Sequence, residues 1–253
     1  MLGVVIPGCG SEREVAGILL TGGFSRRMGF DKASMEVDGV PCAVRVGNLL
    51  RHVVSYALEI GPGISGLPSV QEETPGCGPL VAICKGVEVL RAAGIACPTL
   101  VVACDLPLLS EIVLRTLAQW PGTNSVVPVV EGHPQPLCAR WSMTDLCAAL
   151  MLTKAGARSM RSLLERPEVE LVDELRWPGE LDRRALADVD TPADLERLGL
   201  LRTGHAWQRA LAPGPSSDRR PSPPPEGPKN NAALDSPREA THRQAADRLG
   251  PTG

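Results

Sequence analysis

Between residues 13 and 202 the chain alternates short apolar runs with longer stretches of helical periodicity, and this alternation narrows its possible folds more than any other feature. The runs are VAGILL (15–20), HVVSYALEI (52–60), TLVVAC (99–104), SVVPVV (125–130), PLCARW (136–141) and VELVDEL (169–175). Helical patterns lie between and after them at 41–51, 78–94, 109–120, 142–152, 157–166 and 191–200. Ser110 and Thr191 stand at helix starts, and Asp194, three residues after Thr191, makes an acidic variant of the capping box. Strands separated by helices of this length pair as parallel β-α-β units. The expectation is one α/β domain over 13–202, a three-layer α/β/α arrangement on a mostly parallel, Rossmann-like sheet. The run 52–60 is short enough to be strand or helix.

Aromatic residues make up only 3% of the chain, so the core must be built from Ala, Val, Leu and Ile. Residues 1–12 read as an N-terminal extension. From 203 to 253 proline, charge and small residues replace apolar periodicity, which predicts a disordered tail. The alternative is a partner-binding arm through Pro223, Pro224 and Pro225. A net charge of -3 gives no basic field for nucleic acid, although a local cationic pocket remains compatible with it. The eight cysteines include no C-x-x-C pair and several sit in apolar runs, which suits buried thiols in a reducing cytoplasm better than zinc or disulfides. No charged leader and no apolar stretch of spanning length is expected to direct the chain to a membrane.

The stretch GILLTGGFSRRMGFDKA (17–33) carries the chemistry. Loops at the carboxyl ends of parallel strands form the ligand crevice, so Thr21–Lys32 falls where a ligand belongs. Gly22 and Gly23 allow close backbone approach to an anion, and Arg26, Arg27 and Lys32 add positive charge. The pattern is neither the P-loop nor G-x-G-x-x-G. It favours a phosphate-binding loop over a plain turn.

Asp105, in ACDLPLL, ends another apolar run, and Pro107 stops the strand. An acid there can cap a turn or hold magnesium beside nucleotide phosphates; a phosphate loop at the next strand end favours the metal. Asp188 and Asp190 precede a helix, where Asp190 is either a cap or a site residue. Glu73, next to Glu72, is either a solvated charge or a site residue. Gly76, Gly78 and Pro79 shape a turn before a helix whose N-terminus can offer N–H groups to an anion. His133 and Gln135 lie in a connecting loop and receive no proton-transfer role. Arg158 and Arg161 suit a phosphorylated acceptor or a solvated helix face equally.

LLTGGFSRRMGFDKA (19–33) closely resembles the L-x-G-G-x-S-x-R-M-G-x-D-K signature of MobA-type nucleotidyltransferases, with Thr21 where that family usually has Ala. The resemblance continues in order through ETPGCGPLVAI (73–83), ACDLPLL (103–109), GHPQPLCARW (132–141) and LADVDTPADLERL (186–198). It implies the nucleotidyltransferase fold and transfer of GMP from GTP to a molybdopterin-type acceptor. Catalytic roles carry over to Lys32, Arg26 and Asp105. Nucleotide binding carries over to Leu20, Thr21, Gly22, Gly23, Ser25, Arg27, Lys32, Glu73 and Gly78. Magnesium (Mg2+) carries over to Asp105, and Asp190 is a candidate second metal position by its likeness to the related MocA-type cytidylyltransferases. The resemblance further implies a cytoplasmic enzyme with molybdoenzyme-maturation partners.

One departure bears on the base. Asp188 and Asp190 replace the family's common Asn-x-Asn, as they do in related MocA-type cytidylyltransferases. Alternatives are therefore a cytidylyltransferase, a sugar-1-phosphate or phospholactate nucleotidyltransferase, or a non-catalytic nucleotide-binding regulator.

Overall fold

The structure is a computed structural model that describes residues 14–22, 35–72, 76–179 and 182–200. The expected extension 1–12 and tail 203–253 lie outside the described residues. Chain order is β1 (Ala16–Leu20), β2 (Glu36–Val37), β3 (Val40–Pro41), α1 (Cys42–Val53), β4 (Tyr56–Ile60), β5 (Ser69–Val70), α2 (Pro79–Ala92), β6 (Thr99–Ala103), α3 (Glu111–Ala118), β7 (Ser125–Val130), β8 (His133–Pro134), β9 (Cys138–Trp141), α4 (Met143–Lys154), α5 (Arg161–Leu164), β10 (Val169–Val172) and α6 (Pro192–Arg197).

The main sheet runs β10-β7-β9-β6-β1-β4-β5, with β8 hydrogen-bonded to β7. β6, β1, β4 and β5 are mutually parallel, and β10 is parallel to β7. The mostly parallel expectation holds, but β9 runs antiparallel to both β6 and β7. Its connection explains this. A parallel crossover needs about a dozen residues or more, whereas β7 turns tightly at Glu131 and Gly132, both at positive φ (50° and 79°), into β8.

Side chains alternate across the strands to fill two layers. Leu19, Leu100, Val102 and Val126 face Val46 and Leu50 of α1 and Val113 and Leu117 of α3. Ile18, Leu20, Leu58, Val101 and Val127 face Leu80, Ile83, Val87 and Leu90 of α2 and Leu146 of α4. Aliphatic residues dominate both layers, as the low aromatic content requires; Trp141 and Trp177 are buried exceptions, Trp141 with its indole N–H on the Pro136 carbonyl at 3.1 Å.

Element boundaries depart from the sequence pattern in instructive places. The ambiguous run 52–60 splits: α1 continues to Val53 and only Tyr56–Ile60 is strand. The helix expected over 157–166 shrinks to Arg161–Leu164. The β2–β3 hairpin went unread, although Asp38-Gly39, at φ 52° and 78°, is the turn pair such hairpins prefer.

A buried carboxylate ties the far end of the domain together. Asp145, fully buried in the first turn of α4, accepts from the Ser125 hydroxyl (2.5 Å), the Ser142 hydroxyl (2.9 Å) and Arg166 Nε (2.5 Å). It thereby joins the start of β7 to α4 and to the approach to β10. Removing one partner of a buried charge network typically costs about 3 kcal/mol. Asp145→Ala should lose about that much in urea unfolding; a loss below about 1 kcal/mol would contradict this role.

Candidate active site

Three neighbouring strands end level with one another. Leu20 pairs with Ile60 of β4 on one side and with Ala103 of β6 on the other. The Cys104 N–H donates to the Leu20 carbonyl at 3.0 Å, which extends the pairing one residue past β6. The first residues beyond these tips are therefore adjacent: Thr21-Gly22 after β1, Gly61 after β4, and Asp105 after Cys104.

Asp105 is half-buried, and its carbonyl accepts the Val189 N–H at 3.1 Å. That bond brings the Asp188–Asp190 segment to the β6 tip. Val189 is fully buried with Met35, Val37, Cys42, Leu195 and Leu198, while Asp188 is exposed and Asp190 half-buried beside it. Burial pushes the Cys42 thiol up to about 12, with Arg45 opposing and Asp105 reinforcing, so Asp105 also lies within electrostatic reach of the start of α1.

The helix after this segment is capped as expected. Asp194 Oδ2 accepts from the Thr191 N–H (2.7 Å), the Thr191 hydroxyl (2.8 Å) and the Asp190 N–H (3.0 Å). Burial raises the Asp194 carboxyl, but these hydrogen bonds and Arg197 outweigh it and hold it below its ordinary value. Asp194 takes the capping work, and the cap uses the Asp190 amide. Ser110 sits at the start of α3 without a side-chain capping bond.

Leu20 and Thr21 are buried at the tip of β1. Thr21 is 5% exposed, and its hydroxyl donates to Glu59 Oε1 at 2.5 Å. Thr21 and Gly22 both send their N–H groups to the Ile60 carbonyl, at 3.1 and 3.3 Å. The Gly22 amide is thus engaged by β4 rather than turned toward an anion. Its missing side chain matters instead: a Cβ there would lie 2.9 Å from Glu72 Oε2. Burial raises the carboxyl of Glu72, which is half-buried.

The first turn of α2 is closed. Pro79 has no N–H, and the Leu80 N–H donates to the Arg158 carbonyl at 3.3 Å. Gly78, at φ 101°, lets that carbonyl approach to 2.6 Å of where a Cβ would stand. This corrects the expectation of free N–H groups there, and it explains why residues 157–160 are not helical. Arg158 also donates to the Thr153 and Ala157 carbonyls, and Arg161 pairs with Glu165 at 3.0 Å on an exposed face. A pocket of about 410 Å³ opens beside Glu72 between α2 and the end of α4, with Lys85, Glu88 and Lys154 on its walls.

Gly23, Ser25, Arg26, Arg27, Lys32 and Glu73 lie outside the described residues. Gly22 and Met35 are the described residues on either side of positions 23–34; Met35 is buried, and its carbonyl accepts the Cys42 N–H at 2.7 Å. Among the described residues no group of three or more His, Cys, Asp or Glu side chains converges on a metal position. The hard oxygens of Asp105 and Asp190 suit a magnesium ion that draws its remaining ligands from phosphate and water. No helix among the described residues is long and apolar enough to cross a membrane.

Glu59 and Gly61 were missed by sequence reasoning. A glutamate in an apolar strand, followed by Ile60-Gly61-Pro62-Gly63, gives no periodic signal beyond being out of place in YALEI.

Residues 17–171 match the MobA-like NTP transferase domain. A Mycolicibacterium paratuberculosis protein named "Probable molybdenum cofactor guanylyltransferase" is 33% identical over 75% of this chain and 97% of its own length. A Pelotomaculum thermopropionicum protein of the same name is 29% identical over 77% of this chain and 98% of its own. Among solved structures, molybdopterin-guanine dinucleotide biosynthesis protein A from Archaeoglobus fulgidus superposes with a TM-score of 0.58 at 21% identity, covering 73% of this chain and 96% of that one; it shares the fold.

Glu59 sets a pH dependence. Burial pushes its carboxyl up, but hydrogen bonds from the Ser65 and Thr21 hydroxyls and from the Ser65 and Ile64 amides outweigh burial and hold it below the ordinary 4.5. A group depressed in the folded state stabilises fully above its unfolded pKa, and that stability is lost as pH falls through the folded value. The stability advantage of wild type over Glu59→Gln should therefore shrink as unfolding is measured at successively lower pH below 4.5. A difference that stays constant through the acid range would contradict the assignment.

Proposed function

The chain belongs to the MobA-like NTP transferase family and is a nucleotidyltransferase, and from that premise we propose that it transfers GMP from GTP to the terminal phosphate of a molybdopterin-type acceptor. The observation that carries this reading is the level ending of β1 and β6, which sets the start of the cationic glycine loop beside Asp105. In the reaction an acceptor phosphate oxygen attacks the α-phosphorus of GTP in line. The bond from that phosphorus to the α,β-bridging oxygen breaks, and pyrophosphate leaves with the electron pair. Such transfers depend on positioning and charge neutralisation rather than covalent protein chemistry.

Lys32 stabilises the negative charge on the phosphates, and Arg26 or Arg27 holds the departing pyrophosphate. Asp105 and Asp190 would hold Mg2+, whose charge would offset that of the phosphate oxygens. Gly22 keeps the floor of the crevice free of a side chain, and Glu72 or Glu73 faces the nucleoside. The pocket beyond Glu72 has both ammonium and carboxylate groups on its walls. Guanine offers acceptors at O6 and N7 and a donor at N2, which such a wall can meet. Maturation partners for the product and a cytoplasmic setting belong to the same reading.

A second reading is a cytidylyltransferase of the MocA type, favoured by Asp188 and Asp190 in place of asparagines. Thermal stabilisation by GTP, CTP, ATP and UTP with magnesium separates the two: GTP should raise the melting temperature most, and stabilisation by CTP alone would transfer the assignment. Removing an electrostatic stabiliser of the transition state costs on the order of a hundredfold to a thousandfold in rate. Lys32→Ala and Asp105→Ala should each lose pyrophosphate release on that scale while melting like wild type. Wild-type turnover in either variant would refute the proposed roles.

A further inference from the structure

Glu59 is a carboxylate with no exposed surface, one residue from the end of β4, and nothing in the proposed chemistry uses it. Its oxygens are densely engaged. Oε1 accepts the Thr21 hydroxyl (2.5 Å) and the amides of Gly63 (2.7 Å) and Ile64 (3.0 Å). Oε2 accepts the amide (2.8 Å) and hydroxyl (2.5 Å) of Ser65. Burying an ionised carboxylate is costly unless every lone pair is met, and here donors from one loop and from the next strand meet them.

The donors fall on two sides. Those from Gly63, Ile64 and Ser65 fold the loop after β4 around the carboxylate. The Thr21 hydroxyl comes from outside that loop, from the residue at which the chain leaves β1. Gly61 makes this approach possible: a Cβ there would stand 2.1 Å from Thr21 Oγ1 and 2.9 Å from the Gly22 nitrogen. The take-off of the glycine turn is thus fixed by the Glu59 carboxylate at the Thr21 side chain and by the Ile60 carbonyl at the Thr21 and Gly22 amides. Thr21, the departure from the usual Ala of the resemblance, has a dedicated partner in the fold.

We propose that Glu59, acting through the Thr21 hydroxyl, is a positioning residue that fixes where the glycine turn leaves β1 and hence where it meets the phosphates of the nucleotide. The proposal rests on the nucleotidyl-transfer reading. Glu59 touches no reacting atom. Its effect is on geometry, where a displacement of about 1 Å can cost a hundredfold in rate.

Three variants test it, assayed as pyrophosphate release from GTP with magnesium and molybdopterin, well below their melting temperatures. Thr21→Val keeps the shape and removes the hydroxyl; kcat should fall by about tenfold to a hundredfold, with KM for GTP moving less than about threefold. Thr21→Ser restores the donor and should return kcat to within about twofold of wild type. Ser65→Ala removes a hydroxyl donor from the same carboxylate on the side away from the turn. It should lower the melting temperature comparably yet keep kcat within about threefold. If Thr21→Val is not recovered folded, Thr21→Ala is read in its place. Wild-type kcat without the Thr21 hydroxyl, or an equal kcat loss in Ser65→Ala, would overturn the proposal. A wild type inert toward all four nucleoside triphosphates would instead remove the transferase reading, and the proposal with it.

Discussion

The pairing of Leu20 with both Ile60 and Ala103 is the constraint from which the site follows. Parallel strands in register end at the same height, and the carboxyl ends of such strands are where crossovers leave a crevice. With β1 between β4 and β6, Thr21 and Gly22, the glutamate-centred loop after β4 and Asp105 come within a residue or two of one level without any long-range device. What holds that register is the packing of alternate strand residues into two aliphatic layers. A slip of one residue would turn Ile18 and Leu20 toward α1 and Leu19 toward α2, exchanging two filled cores for mismatched ones.

Two supports then build outward from the strand tips. On the β4 side, a buried carboxylate gathers hydroxyls and amides, and Gly61 is needed because the Thr21 side chain occupies the space a Cβ would take. On the β6 side, a small apolar cluster fastens the 187–200 segment beneath the β2–β3 hairpin and the start of α1, and the Val189–Asp105 backbone bond ties that segment to the β6 tip. At the β1 tip the Gly22 amide is held by the Ile60 carbonyl, and Met35, before β2, is buried. Asp194 does the helix capping, accepting from the Thr191 amide and hydroxyl and from the Asp190 amide.

Much of this was legible in the chain. The layered fold and the longer strands β1, β6 and β7 follow from periodicity, and the level of the β1 and β6 tips follows from where those strands run out of apolar residues. Antiparallel β9 was not, because PLCARW reads alike in either direction and only the short 131–137 connection decides it. The α2 N-terminus was misread for a tertiary reason: the Arg158 carbonyl that closes it comes from a segment about eighty residues away in sequence. Glu59 was invisible for a similar cause, since a buried acid is made tolerable by donors that the linear pattern does not bring together. Thr21 stands where the signature usually has Ala, and its hydroxyl donates to Glu59 of β4, a partner that the linear signature does not reveal.

The central claim is that one nucleoside triphosphate lies across the β1 and β6 tips with its metal on Asp105. A crystal structure with manganese and α,β-methylene-GTP tests this most directly, because manganese is located by its anomalous signal. The account predicts an anomalous peak bonded to the Asp105 carboxylate, with the triphosphate running over Gly22 toward Lys32. A nucleotide bound elsewhere, or a manganese peak away from Asp105, would contradict it.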